Sequence, residues 1–142
     1  MSEIVTRLAK PEDIGFIKKT WLYSFYNGNT EMQGIDKNIF MPEYDCIIMR
    51  ILTDPSTFVR VACLSDDPNI IVSFSVISHM GDKNILHFVY TKKLWRGNKI
   101  HMLVLPDDFN IHFCTHMTRQ FYQIKPKSIK FNPFLLRMFN GN

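Results

Sequence analysis

NILHFVYTKKLWRGNKIH, residues 84–101, is a hydrophobic strand that runs into a basic turn, with Arg96-Gly97 standing where a helix begins. At such a strand-to-helix turn, backbone N–H groups bind phosphate, because a helix N-terminus presents unpaired donors and a partial positive charge. Lys92, Lys93, Arg96 and Lys99 add side chains that hold phosphate as point charges. The competing reading is a solvated basic loop that only joins a strand to a helix.

The residues before this run alternate. Residues 58–64 and 70–78 read as strands around Asp66-Asp67-Pro68-Asn69, and Met80-Gly81-Asp82 turns into a third strand at 85–90. Connections this short force an antiparallel meander, since parallel strands need long crossovers. Earlier still the period is helical. A strand at 4–8 leads to Pro11-Glu12-Asp13, a helix start with acids in its first turn. Ile14, Ile17, Trp21 and Phe25 then mark one apolar face, and Asn27-Gly28-Asn29 ends the helix. Residues 30–38 read as a polar loop. Pro42 opens a second helix with Tyr44, Ile47, Ile48 and Ile51 on its buried face, stopped by Thr53-Asp54-Pro55. After the basic turn come a helix at 98–105 ended by Pro106, a strand at 110–114, a helix at 117–124, a strand at 128–131 and an apolar tail at 134–139. The order is β-α-α-β-β-β-α-β-α-β, an α/β chain with no linker or repeat, which reads as one domain over residues 1–142.

Composition narrows the function. Of 142 residues 46% are hydrophobic and 21% charged, a globular balance, and twelve Phe, five Tyr and two Trp predict a ring-rich core. No apolar stretch reaches the ~20 residues of a membrane helix. No signal-peptide pattern opens the chain, which points to the cytoplasm. Three cysteines without ligand spacing read as buried, reduced thiols and give no metal site. The net charge of +4 gathers at Lys92–Lys99 and at Lys125, Lys127 and Lys130, but dispersed Asp and Glu argue against nucleic acid as the partner.

The element order, together with FVYTKK and LWRG at the matching place, resembles the GNAT superfamily of N-acetyltransferases over essentially the whole chain. There a strand ending in Val-Tyr-Val or similar precedes Arg/Gln-x-x-Gly-x-Gly/Ala, whose amides hold the pyrophosphate of acetyl-CoA. The resemblance implies a GNAT-like fold with a mixed central sheet. It implies acetyl-CoA as cofactor, bound by Phe88, Val89, Tyr90, Arg96, Gly97, Asn98, Lys99, Ile100 and His101. Lys99 stands at the first glycine and His101 at the second small residue, so bulk is expected to obstruct the amide cradle. The chain is also similar to small phage-encoded members. Val89-Tyr90, Lys93-Leu94-Trp95-Arg96-Gly97, Thr115-His116-Met117-Thr118 and Asn132-Pro133 carry that likeness.

Acetyl transfer to an amine needs a polarised carbonyl, a proton acceptor and a stabilised thiolate. By resemblance the backbone of 88–90 and 111–113 would flank the thioester. Tyr122 would serve the thiolate, and His87 or His116 would take the amine proton, with His112 a further candidate. His116 reads as standing at a helix N-terminus. Each of these has a bland alternative, as a half-buried tyrosine or a structural histidine. Trp21, Tyr23, Tyr26 and the loop after them fall where substrate-facing residues occur in the superfamily. Two functions follow: an N-acetyltransferase acting on a primary amine of a protein or small molecule, or an inactive module of the same fold that binds a host or virion protein.

Overall fold

A computed structural model describes residues 3–97, 99–105 and 110–139. The elements are β1 (Ile4–Leu8), α1 (Ile14–Asn27), α2 (Lys37–Leu52), β2 (Thr57–Leu64), β3 (Asp67–Met80), β4 (Lys83–Thr91), α3 (His101–Val104), β5 (Phe113–Cys114), α4 (Arg119–Ile124) and β6 (Lys130–Phe131), joined in places by short 3-10 turns. The strands form one sheet in chain order. β1 to β4 pair antiparallel, as the short connections require. β4–β5 and β5–β6 pair parallel, so the sheet is mixed.

Alternation along the strands separates two faces. Val61 joins Phe74, Val76 and Phe88 beneath α1 and α2, where Ile17, Trp21, Phe25, Phe40, Ile48 and Ile51 complete the main core. Its neighbour Ala62 points the other way, to Val72 and to Val104 of α3. Ile77 and Leu86 carry a third cluster with Ile111, Cys114, Phe121 and Ile129, which seats α4 at the end of the sheet. Each fully buried side chain of this size contributes about 1.5–3 kcal/mol of transfer free energy.

Several boundaries differ from the sequence reading. α2 starts at Lys37, where the Asp36 carboxylate accepts from Asn38 N at 2.8 Å; Pro42 lies inside the helix. β5 is Phe113–Cys114 instead of 110–114, and β6 is Lys130–Phe131 instead of 128–131. α3 covers only His101–Val104 of the helix read at 98–105, and Asn98 and Pro106 lie outside the described residues. α4 begins after Thr118, whose hydroxyl accepts from Phe121 N at 3.1 Å. His116 therefore precedes the helix and does not cap it. The tail is a 3-10 stretch, Pro133–Met138. Cys63 and Cys114 are buried thiols, but Cys46 is exposed. Among the described residues no helix is long and apolar enough to cross a membrane.

Candidate functional site

β4 and β5 hold together over a short length. Their pairs are Ile85↔Phe113 and Leu86↔Cys114, flanked by His112 N to Asn84 O at 2.9 Å and Thr115 N to Leu86 O at 3.1 Å. Past that point β4 continues while the other segment turns into α4, and the strands part. A bulge marks the parting: across from β3 the register steps from Val76↔Phe88 to Ile77↔Leu86, leaving His87 unpaired in the strand register. Beyond the bulge, Tyr90 O accepts from Ser73 Oγ at 2.6 Å and Lys92 N donates to Val72 O at 2.8 Å, both toward β3. The intervening Val89 and Thr91 therefore turn their backbone groups to the open side. Thr91 O takes the Arg96 Nε–H at 2.8 Å, which pins the basic turn to the strand end.

A cleft of about 1030 Å³ fills the space between the parted segments. Phe88 to Thr91 form one wall, α4 from Thr118 to Ile124 the other, the basic turn one end and Tyr23 to Gly28 of α1 the floor. Arg96, Lys99 and Arg119 line it, and no Asp or Glu does among the described residues. His101 also faces it and is held below its usual pKa, first by burial and then by the nearby Lys99, which leaves it neutral at pH 7. Such a cleft attracts a polyanion.

The turn keeps glycine geometry without its glycines. Gly97 has φ +91° and Lys99 has φ +58°, a left-handed conformation that costs a non-glycine residue about 1 kcal/mol. Lys99 thus adopts the backbone that the sequence reading took to be obstructed, with its side chain exposed. Of the residues read for this site, Phe88, Val89, Tyr90, Arg96, Gly97, Lys99, Ile100 and His101 all line the cleft. Lys92 and Lys93 do not.

The side chains read for the chemistry are elsewhere. Tyr122 is 71% exposed and is not among the cleft-lining residues. His87 and His116 are buried and share a hydrogen-bonded row with Thr115, Ser78 and Tyr44. Burial pushes the His87 pKa down to about 3, against a small opposing pull from Asp54, and holds His116 far below its usual value. Both are neutral. His112 accepts from Asn84 N at 3.1 Å, Trp21 is core, and Tyr26 donates to Ile35 O at 2.9 Å; Tyr23 alone of the aromatic trio reaches the cleft. Thr118 and Arg119 line it too, and the sequence reading passed over them. The Thr-x-x-Phe cap at 118 was the signal that places them at a helix start facing the parted strands.

No protein-family model and no curated protein matches the sequence. Solved structures do. A predicted acetyltransferase from Clostridium acetobutylicum, solved with acetyl-CoA, superposes with TM-score 0.59 at 19% identity, over 88% of this chain and 90% of that one. This chain has a GNAT-like fold. A ribosomal-protein-alanine N-acetyltransferase from Brucella melitensis biovar Abortus matches with TM-score 0.50 at 13% identity, over 92% and 79% of the two chains. A Bacillus halodurans protein matches with TM-score 0.52 at 14% identity, over 94% and 86%. At these identities the likeness speaks for the fold.

Proposed function

We propose that the chain is an N-acetyltransferase that moves acetyl from acetyl-CoA to a primary amine of a protein or small molecule. The observation that carries this reading is the cleft at the parting of β4 and β5, lined by Arg96, Lys99 and Arg119 and free of acid among its described residues. Acetyl-CoA fits it by chemistry: phosphates for the cations, an amide-bearing arm for the free backbone edge at Val89, and a thioester for the crotch. Bound there, acetyl-CoA supplies the activated acetyl group. The protein's part is to bind, align and exclude water. The solved acetyl-CoA complex of similar fold supports the same reading.

Calorimetry tests it. Acetyl-CoA should bind with a Kd on the order of tens to hundreds of micromolar, weakened by salt because exposed Lys–phosphate attraction is screened. No heat at millimolar acetyl-CoA would sink the enzyme. The module that holds a host or virion protein would then lead. Tyr122 on the exterior, without a thiolate to serve, is the observation in its favour.

A further inference from the structure

The cations of the cleft stand in two places. Arg96 and Lys99 belong to the basic turn, where Arg96 is tied to Thr91 O. Arg119 belongs to the floor. Its backbone N–H donates to Gly28 O at 3.2 Å, at the end of α1, and Tyr23, Ser24 and Asn27 of α1 line the cleft there. A further cation backs this floor: the Lys37 ammonium, at the start of α2, lies 5.1 Å from the centroid of the Tyr23 ring, a cation–π contact. Among the described residues neither Arg119 nor Lys37 is ion-paired. The acids of the α1–α2 connection, Glu31 and Asp36, do not line the cleft, and the Asp36 carboxylate is engaged with Asn38 N at 2.8 Å.

We propose that this floor is the acceptor site of the acetyl transfer set out above, on which the inference rests, and that it takes a small primary amine carrying its own carboxylate or phosphate. Arg119 pairs with that anion. A guanidinium binds carboxylate and phosphate through paired N–H donors, and an unpaired one lining a cleft is available to do so. A polyamine or a lysine-rich segment would instead bring more positive charge to a floor with no carboxylate to receive it, and like charges placed together in a site cost heavily. The polar side chains left in the lining of α1 and α4, among them Ser24, Asn27, Gln120 and Gln123, are neutral and do not offset this preference.

Position supports the assignment. Thr115 N to Leu86 O is the last backbone bond before β4 and β5 part, and Thr118 and Arg119 follow within four residues. Gly28 lies against Thr118, since a β-carbon there would stand 3.3 Å from the Thr118 side chain. The floor therefore adjoins the crotch, where the thioester fits, while the basic turn lies past Thr91 at the phosphate end. An amine held at the floor attacks the acetyl carbon with its nitrogen lone pair. The C–N bond forms, the C–S bond breaks, its electron pair leaves on sulfur, and the proton left on nitrogen passes to water.

Four short amines on the full chain at saturating acetyl-CoA test this, with release of the CoA thiol as the signal. β-Alanine and O-phosphoethanolamine carry an anion, ethanolamine carries no second charge, and 1,3-diaminopropane carries a second cation. The readout is kcat/KM for β-alanine divided by that for 1,3-diaminopropane, because a change in acetyl-CoA binding or in the folded fraction cancels within one variant. The expected wild-type ratio is about a hundredfold, with O-phosphoethanolamine beside β-alanine and ethanolamine in between. Arg119→Gln should lower the ratio by about tenfold, and Arg119→Glu should carry it below unity. Lys37→Gln should lower it by roughly twofold, as an exposed charge behind a ring would. A wild-type ratio near or below unity overturns the acceptor class and leaves the acetyltransferase reading standing. A ratio that Arg119→Glu leaves unchanged overturns it as well, and gives Arg119 to the phosphates of acetyl-CoA. A wild type that acetylates none of the four sinks the acetyltransferase reading instead, and saturation-transfer NMR with the same amines then decides the floor. Binding of the two anionic amines that Arg119→Glu abolishes upholds the class of ligand, and binding without preference for them overturns it.

Discussion

Lys99 shows how one residue carries two opposed effects. Its backbone sits at φ +58°, where a β-carbon is strained, and its charge faces the phosphate end of the cleft. Lys99→Gly relieves the strain but frees the unfolded chain, and the first effect is the larger at a left-handed position. The variant should gain about 1 kcal/mol, a rise of roughly 3 °C in Tm. It should also bind acetyl-CoA several-fold more weakly, because the amide geometry is already present in the wild type and only a cation is lost. A thermal melt and a calorimetric titration read the two signs separately. Tighter binding by the glycine variant would mean that the lysine stem obstructs the turn after all. His101 is different: neutral and half-buried, it adds volume to the wall and no charge.

At the level of elements, the cleft depends on how closely α1 approaches α4. Gly28 ends α1, and its carbonyl accepts from Arg119 N at 3.2 Å, while Asn29 Nδ2 donates to Met117 O at 3.0 Å. A β-carbon on Gly28 would stand 2.8 Å from Ser24 O and 3.3 Å from the Thr118 side chain. Gly28→Ala must distort the last turn of α1 away from Ser24 O and ease the Thr118 side chain back by a few tenths of an ångström, and should cost about 1–3 kcal/mol as overpacking does. Denaturant unfolding measures that cost, and an unchanged midpoint would show that this turn yields freely. The sequence made the antiparallel meander and α1 legible, since alternation, short turns and the Ile14–Phe25 spacing are local signals. It misplaced the start of α2 because Pro42 looked like a first-turn proline, while the true cap, Asp36, lay in a polar stretch read as loop. β5 and β6 were over-read for a different reason. A strand ends where its partner leaves it, and the parting of β4 from β5 is a tertiary event with no local signature. The backbone wall at 88–90 came from the resemblance, but 111–113, expected opposite it, does not line the cleft, where Thr118 and α4 stand instead. The exposure of Tyr122 depended on which face of the short α4 packs inward, and there Phe121 takes the buried place.

The whole molecule pays for its buried imidazoles in acid. His87 and His116 are neutral in the folded state and titrate near their ordinary value, about 6.5, once unfolded. Their folded pKa values are lowered, so the unfolded chain binds protons first as pH falls, and stability declines below about 6.5. For His87 the window reaches down to about 3. Each such histidine subtracts about 1.4 kcal/mol per pH unit inside its window, so together they approach 3 kcal/mol per unit. Asp13 acts lower down. Its carboxylate is held below the usual range first by the Arg7 guanidinium at 2.6 Å, against the opposing effect of burial, and then by Lys10 N. That stability is present above the carboxylate's unfolded value near 3.9 and is lost only as pH falls through the folded one. The expected curve is therefore flat above about pH 7, steep below about 6.5, and steeper again below about 4. Urea unfolding at several pH values, with the two ring signals followed by NMR, gives the slope and its source together. Stability unchanged between pH 7 and 5, or a ring signal that titrates near 6.5 in the folded protein, would show that the crotch admits an imidazolium, and the neutral row through it would then be lost.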